Sequence, residues 1–199
     1  KIDAVKKEFW DKFQVDSIRA SYEYNEPLLW SYAVGRVVDV LATENVVLHA
    51  HEWLAGGAIL ACKNNPLVKT VFTTHATVLG RVIASNHEEL YKHLNSIPVD
   101  ERAYHYKVEA KHTLERAAAR ACDVFTTVSE ITAMECEKML GRDVDVVLPN
   151  GINIEDFAGL DQMSSMRKRY RRKLNDFLIP YFFPHYTFDL QKTMIYSLA

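Results

Sequence analysis

The sequence predicts an α/β fold with a Rossmann-like parallel sheet flanked by helices. Short apolar runs rich in Val, Ile and Phe recur along the chain, and a helical pattern separates each run from the next. Two runs end in polar clusters that contain histidine, at 48–53 and 73–77. The carboxyl ends of parallel strands open into the crevice where such sheets bind ligands, so these clusters indicate the functional site.

The first half of the chain predicts a βαβ unit preceded by a helix. That helix begins at Asn25, the predicted N-cap, with Pro27 in its first turn. A strand at 45–48, a short helix at 54–63 and a strand at 68–73 follow. We expect the crossover between the two strands to be right-handed.

The second half continues the alternation and then changes in composition. The predicted elements are helices at 78–94 (broken near 85–86) and 100–121, a strand at 124–128, a helix at 129–141 and a strand at 144–148. The composition shifts beyond Phe157, where we place a domain boundary. Residues 1–157 then belong to one Rossmann-like domain. Residues 158–199 contribute a helix and the first strand, at 193–198, of a second, incomplete domain.

Composition excludes several classes of protein. The chain has 199 residues, 48% of them hydrophobic and 25% charged, which is the balance of a globular protein. A net charge of −2 does not favour a nucleic-acid partner. No apolar run approaches the roughly 20 residues that cross a bilayer, and the first residues lack the apolar core of a signal peptide. We therefore expect no membrane partner, a cytoplasmic location and reduced cysteines at Cys62, Cys122 and Cys136.

Three histidines are the first candidates for chemistry. His49 and His51, two residues apart on a strand, share one face, and with His75 they can in principle form a three-histidine metal site. No nearby Asp or Cys completes the set, so the pattern favours a site without metal. His75 precedes a helix, where its ring and the following backbone N–H groups can face an anionic or hydroxyl-rich ligand. Arg81 either binds a phosphate or is a solvated helix arginine.

Other motifs are less specific. Asn150 and Gly151 follow Pro149 in what their chemistry predicts to be a turn. The basic run at 167–173 suits a solvated helix or an acidic partner. The sequence contains no dinucleotide-binding glycine motif, P-loop or GxSxG elbow.

Four segments, taken together, resemble the glycogen synthase family of the eukaryotic (animal and fungal) type. They are HEWLAGG at 51–57, FTTHATVLGR at 72–81, ERAAARACDVFTTVSEITAMECEKML at 115–140 and PNGINIEDF at 149–157. HEW and PNG recur among related glycosyltransferases, whereas FTTHAT followed by LGR is more specific. The resemblance extends over nearly the whole chain.

The resemblance implies a GT-B fold, in which two Rossmann-like domains face each other across the active site. It implies transfer of glucose from UDP-glucose to the non-reducing 4-OH of an α-1,4-glucan, with retention at the anomeric carbon and without a metal or other cofactor. His75 and Arg81 would be catalytic, beside the donor glucose and its phosphate. The substrate-binding residues would be His51, Glu52, Trp53, Asn150 and Gly151.

The resemblance also implies a longer protein. The family's glycine-containing donor loop would precede Lys1, and its glutamate motif and phosphate-binding basic residues would follow Ala199, so we expect residues 1–199 alone to be inactive. The longer protein is expected to form a homo-oligomer and to bind glycogen and a primer protein. Two alternatives stay open: another GT-B sugar-nucleotide transferase, and a non-catalytic carbohydrate-binding scaffold.

Overall fold

The chain divides into two units, Lys1–Asn150 and Gly151–Ala199. The structure is a computed structural model that describes residues 2–153, 159 and 162–185. The predicted boundary at Phe157 and the predicted strand at 193–198 lie outside the described residues. Both stay predictions. None of the described helices is long and apolar enough to span a bilayer.

Helices and strands alternate in the first unit, as the sequence predicts. The elements are, in order, α1 Ile2–Phe13, α2 Tyr22–Leu41, β1 Val46–His51, α3 Glu52–Cys62, β2 Val68–Thr74, α4 Val78–Ser85, α5 Leu90–His93, a short 3-10 helix Leu94–Ser96, α6 Val99–His105, α7 Glu109–Ala121, β3 Val124–Thr127, α8 Glu130–Leu140 and β4 Val146–Val147. The second unit contains α9, Met163–Phe182.

The four strands form one parallel sheet in the order β1-β2-β3-β4. His51 at the end of β1 is paired with Thr73 of β2, and Thr73 is paired with Thr126 of β3. The carboxyl ends of three strands therefore lie side by side at one edge of the sheet. This arrangement confirms the predicted Rossmann-like class and places the two histidine clusters next to each other.

Helix α2 begins one turn earlier than the sequence predicts. Its N-cap is Ser21, not Asn25, and Pro27 lies inside the helix. Tyr24, before the predicted start, is only 1% exposed and lies in the same core as Leu28, 0% exposed. Burial of a large aromatic side chain outweighs the local preference for a cap at asparagine.

The predicted helix at 100–121 is also corrected, because it is two helices. Lys107, between α6 and α7, has a left-handed backbone with φ of 56°, which an uninterrupted helix cannot contain. The break predicted near 85–86 is confirmed, since α4 ends at Ser85. Helix α1, with Val5 and Phe9 buried, has no counterpart among the predicted elements.

Two apolar clusters hold the first unit together. One surrounds the sheet and includes Ile59, Phe72 and Phe125; the other joins α1, α2, α3 and α7 through Phe9 and Leu28. All three cysteines are free and buried: Cys62, Cys122 and Cys136. Among the described residues, helix α3 packs on β1 and β2 and helix α8 packs on β3, whereas Val47 of β1 is exposed.

Helices α2 and α3 approach closely at Gly35. A Cβ atom there would lie 2.5 Å from the carbonyl oxygen of Ala58 and 2.7 Å from the Cβ of Ala61. Both distances are shorter than van der Waals contact. The first atom belongs to the backbone of α3 and the second to a short side chain, so neither can move away without moving the helix. The missing side chain of Gly35 therefore sets the spacing of these two helices.

We predict that Gly35→Ala lowers the free energy of unfolding by about 1–3 kcal/mol, because α2 and α3 must move apart. Chemical denaturation of the two proteins measures the difference. Val37→Ala, at an exposed position of the same helix, is the control and should change stability by no more than about 0.5 kcal/mol. Equal stability of Gly35→Ala and the wild type would contradict the packing argument.

His112 in α7 makes stability depend on pH. Its side chain is 0% exposed, and burial lowers its pKa to about 4, helped by the positive charges of Arg116 and Arg120 and opposed by Asp100. The unfolded histidine has a pKa of about 6.5 and so binds a proton at higher pH than the folded one. The contribution of His112 to the unfolding free energy is therefore fully present above about pH 6.5. It is lost as the pH falls towards 4, because the unfolded state binds the proton first.

We predict that His112→Leu flattens the fall in unfolding free energy between about pH 6.5 and pH 4, because the group that takes up a proton on unfolding is gone. Denaturation curves at a series of pH values measure the slope. Thr113→Val, also buried but without a titratable group, is the matched control and should keep the wild-type slope. A His112→Leu slope equal to that of wild type would contradict this assignment.

Candidate functional site

Three histidines meet at the carboxyl edge of the sheet. The rings of His49 and His51 lie 4.2 Å apart, and those of His51 and His75 lie 5.5 Å apart and stacked. His51 Nδ1 is 3.3 Å from His75 Nε2, a hydrogen-bond distance. His49 and His51 are exposed and His75 is half-buried. The structure thus brings two of the predicted site residues, His51 and His75, into direct contact.

Buried threonines anchor this histidine stack to the sheet. His49 Nε2 is 2.7 Å from Thr73 Oγ1, which is 2.5 Å from Thr126 Oγ1. The pKa of His51 is lowered by partial burial and by the neighbouring His49 and His75. The His51 ring is therefore favoured in its neutral form, in which one nitrogen donates and the other accepts.

The histidines stack instead of converging. Within the described part of the chain, no group of three His, Cys, Asp or Glu side chains is arranged to hold a metal ion. The three-histidine geometry that the sequence permits is therefore not formed by these residues. Histidine ring nitrogens can donate or accept hydrogen bonds, so these rings are suited to contacts with hydroxyl groups.

Glu52 joins His75 and Arg81. Its Oε1 accepts the backbone N–H of His75 at 2.8 Å and lies 3.4 Å from Arg81 Nη2. The backbone of Glu52 is left-handed, with φ of 62°. Such a conformation costs a non-glycine residue about 1–3 kcal/mol and is found at sites where the surrounding structure enforces it. Here it turns the chain from β1 into α3 with the carboxylate facing His75.

Helix α4, which bears Arg81, begins at the residue that the sequence predicts. Because α4 begins at Val78, Arg81 is in the first turn of that helix. The Arg81 side chain is 57% exposed and that of Glu52 is 20% exposed. An exposed ion pair of this length contributes little to stability, so the guanidinium is available to a ligand at small cost.

The backbone N–H groups of Thr77 and Val78 do not face a ligand site, contrary to the sequence-based interpretation. The N–H of Thr77 donates to Glu135 at 2.8 Å and that of Val78 donates to Glu115 at 2.9 Å. Carboxylates of the protein occupy the positions that an anion would take. These two N–H groups are therefore not free to bind an anionic ligand, and Arg81 is the cationic candidate from the sequence analysis.

Glu115 and Glu135 are the residues that the sequence analysis missed. They are 0% and 2% exposed. Burial raises the pKa of Glu115 to about 8, opposed by the hydrogen bonds from Val78 and Thr74. One feature of the sequence indicates the burial of Glu115. Glu115 shares a helical face with three small residues that are all buried, Ala118, Ala119 and Cys122. A carboxylate on an apolar face must find buried donors.

Within the part of the chain that the structure describes, no hydrogen bond or ring contact joins the remaining predicted site residues to His75 or Arg81. Trp53 packs in the second core cluster, stacked on Tyr24 at 5.8 Å and beneath the ammonium group of Lys111 at 5.1 Å. Asn150 is exposed, just beyond β4 at the carboxyl edge of the sheet. Gly151 is exposed at the start of the second unit. Substrate binding by these three residues stays a prediction.

Comparison with known proteins identifies relatives along the whole chain. It is 38% identical over 200 residues to glycogen (starch) synthase isoform 2 of Saccharomyces cerevisiae, an alignment that covers 98% of this chain and 28% of that protein. It is 37% identical to glycogen (starch) synthase of Neurospora crassa, with the same coverages. It is 35% identical to the human liver glycogen (starch) synthase, covering 100% of this chain and 29% of that protein.

The chain therefore spans less than a third of the length of these curated relatives. A sequence model of the family described as "Glycogen synthase" matches residues 1–199. The motifs around His51, His75 and Glu115 lie within the matched region. By this match from its first residue to its last, the chain belongs to the glycogen synthase family.

Proposed function

We propose that the complete gene product is a retaining glucosyltransferase that extends an α-1,4-glucan such as glycogen from UDP-glucose. The observation that carries this proposal is the shared carboxylate of Glu52, which holds the His75 backbone and the Arg81 guanidinium at one edge of the sheet. One carboxylate then joins the residue whose imidazole is suited to sugar hydroxyls to the residue whose cation is suited to a diphosphate. The curated relatives are named glycogen (starch) synthases, which supports this substrate class.

The proposed reaction needs no covalent bond to the protein. The acceptor 4-OH attacks the anomeric carbon on the face from which UDP departs, and the bond between that carbon and the β-phosphate oxygen breaks. The departing phosphate oxygen takes the acceptor's proton, which yields UDP and a glucan longer by one glucose. The protein orients the two substrates and stabilises the developing negative charge.

The chain's residues divide these tasks. His75 would hydrogen-bond the donor glucose. Its backbone N–H is bound by Glu52, and its ring contacts His51. Arg81 would exchange its long contact with Glu52 for the donor's phosphate. His51 would line the sugar site, and Asn150 and Gly151 would contribute at its mouth. The proposed reaction uses no metal or other cofactor, and we propose that it takes place in the cytoplasm. Binding of a primer protein and homo-oligomer formation belong to the same proposal.

We predict that His75→Ala and Arg81→Ala each lower turnover by about 100-fold or more, because each removes a group placed to stabilise the transition state. Incorporation of radiolabelled UDP-glucose into glycogen by the complete gene product measures this. His105→Ala and Arg36→Ala are the matched controls, since both side chains are exposed on other helices. The controls should keep wild-type turnover.

Two outcomes would contradict the proposal. Wild-type turnover in both site variants would remove the assigned roles of His75 and Arg81. Glycogen binding by the wild type without any glucose transfer would favour the alternative of a carbohydrate-binding scaffold.

A further inference from the structure

We infer that Glu115 and Glu135 are positioning residues for the reaction, which hold the loop between β2 and α4 and thereby fix His75 and Arg81 relative to the substrate. This inference rests on the proposed function. The two glutamates come from α7 and α8, helices that lie far along the chain from the loop. Neither side chain is accessible to a substrate, since they are 0% and 2% exposed.

Glu115 spans the loop from one end to the other. Its Oε1 accepts the hydroxyl of Thr74, the last residue of β2, at 2.8 Å. Its Oε2 accepts the backbone N–H of Val78, the first residue of α4, at 2.9 Å. One rigid carboxylate therefore sets the distance between the end of the strand and the start of the helix, and His75 lies between these two points.

Glu135 holds the same loop at Thr77. Its Oε1 accepts both the backbone N–H of Thr77, at 2.8 Å, and its hydroxyl, at 2.6 Å. Its Oε2 accepts the hydroxyl of Tyr91 at 3.0 Å. A Cβ atom on Gly80 would lie 2.3 Å from Glu135 Oε1, so the glycine of the LGR segment makes room for this carboxylate.

Buried carboxylates are costly, which makes a purely packing role a poor explanation. Within residues 2–153, 159 and 162–185, no ion pair joins Glu115 or Glu135 to a lysine or arginine. Leucine or methionine would fill the same volume without desolvating a polar group. The carboxylates differ from these residues in accepting the loop's N–H and hydroxyl groups. Their function in the fold is therefore to specify one loop conformation.

Loop conformation matters because His75 lies within the restrained segment and Arg81 lies just after it. Glu115 and Glu135 bind residues on both sides of His75, and Arg81 is in the helix turn that Val78 begins. A displacement of about 1 Å in a reacting group can lower the rate about 100-fold. Loss of either carboxylate is thus expected to lower kcat with little effect on substrate affinity.

The experiment compares Glu115→Met with Glu115→Gln in the complete gene product. Methionine leaves the N–H of Val78 and the hydroxyl of Thr74 without an acceptor, so kcat should fall by about 10- to 100-fold. KM for UDP-glucose and for glycogen should stay within about threefold of wild type. Glutamine can still accept from Val78 and bond to Thr74, and it should restore kcat to within about threefold.

Thr113→Val controls for stability. Thr113 is buried on the same helix, and its Oγ1 accepts the backbone N–H of Asp16 at 2.9 Å instead of contacting the loop. The control should lower the melting temperature and leave kcat unchanged. Wild-type kcat in Glu115→Met, or an equal fall of kcat in Thr113→Val at equal loss of melting temperature, would overturn the inference.

Two further variants test Glu135 without removing it. Gly80→Ala improves helix propensity but forces the carboxylate away from Thr77, so kcat should fall although the helix itself is favoured. Tyr91→Phe removes one hydroxyl contact and should lower kcat by about two- to tenfold. If both variants keep the wild-type kcat, the positioning role of Glu135 is wrong.

Amide hydrogen exchange separates failure of the inference from failure of the proposed function. Glu115→Met should speed exchange at Val78 and leave Phe72, within β2, protected. Unchanged exchange at Val78 would overturn the inference whatever the activity. If the wild type transfers no glucose from UDP-glucose, the proposed function fails. If exchange at Val78 is faster in Glu115→Met but kcat of the active enzyme is unchanged, the positioning role of Glu115 is wrong and the proposed function stands.

Discussion

The burial of two carboxylates at the carboxyl edge of the sheet is the constraint on which the site depends. A carboxyl group moved from water to a protein interior costs several kcal/mol unless it finds hydrogen-bond partners there, and burial raises the pKa of Glu115 towards its neutral form. Glu115 and Glu135 find their donors in the segment from Thr74 to Val78, together with Tyr91. That segment cannot relax without leaving a buried oxygen unpaired. The loop that bears His75 is therefore held at Thr74, Thr77 and Val78.

Threonine connects this constraint to the rest of the sheet. Thr73 and Thr126 bond to each other across neighbouring strands, and Thr127 donates its hydroxyl to the carbonyl of Thr74 at 2.8 Å. A β-branched residue suits a strand, and its hydroxyl satisfies polar groups where the apolar core ends. The strands thus change from Phe72 and Phe125 in the core to threonine at the edge. The histidine stack rests on this polar layer through His49.

The sequence predicts those structural features that depend on neighbours along the chain. It does not predict features that depend on packing or hydrogen bonding with distant parts of the chain. Ser129 caps α8 and Gly141, with φ of 66°, ends it, both as their local chemistry indicates. The contact of His51 with His75 follows from two strands that end together. The start of α2 depends instead on the burial of Tyr24 by other helices. No local pattern reveals that the donors for Glu115 lie 37 and 41 residues earlier in the chain.

A raised pKa at a candidate site often marks a general acid, and Glu115 is an instructive exception. Its pKa of about 8 arises first from burial, and its two oxygens are directed at Thr74 and Val78. A general acid must come within hydrogen-bond reach of the reacting atom, which a side chain of 0% exposure beneath the loop cannot do. The perturbed pKa of Glu115 is therefore a consequence of the way the fold holds His75. Under the proposed function, the groups that meet the substrate are the exposed Arg81 and the histidine stack.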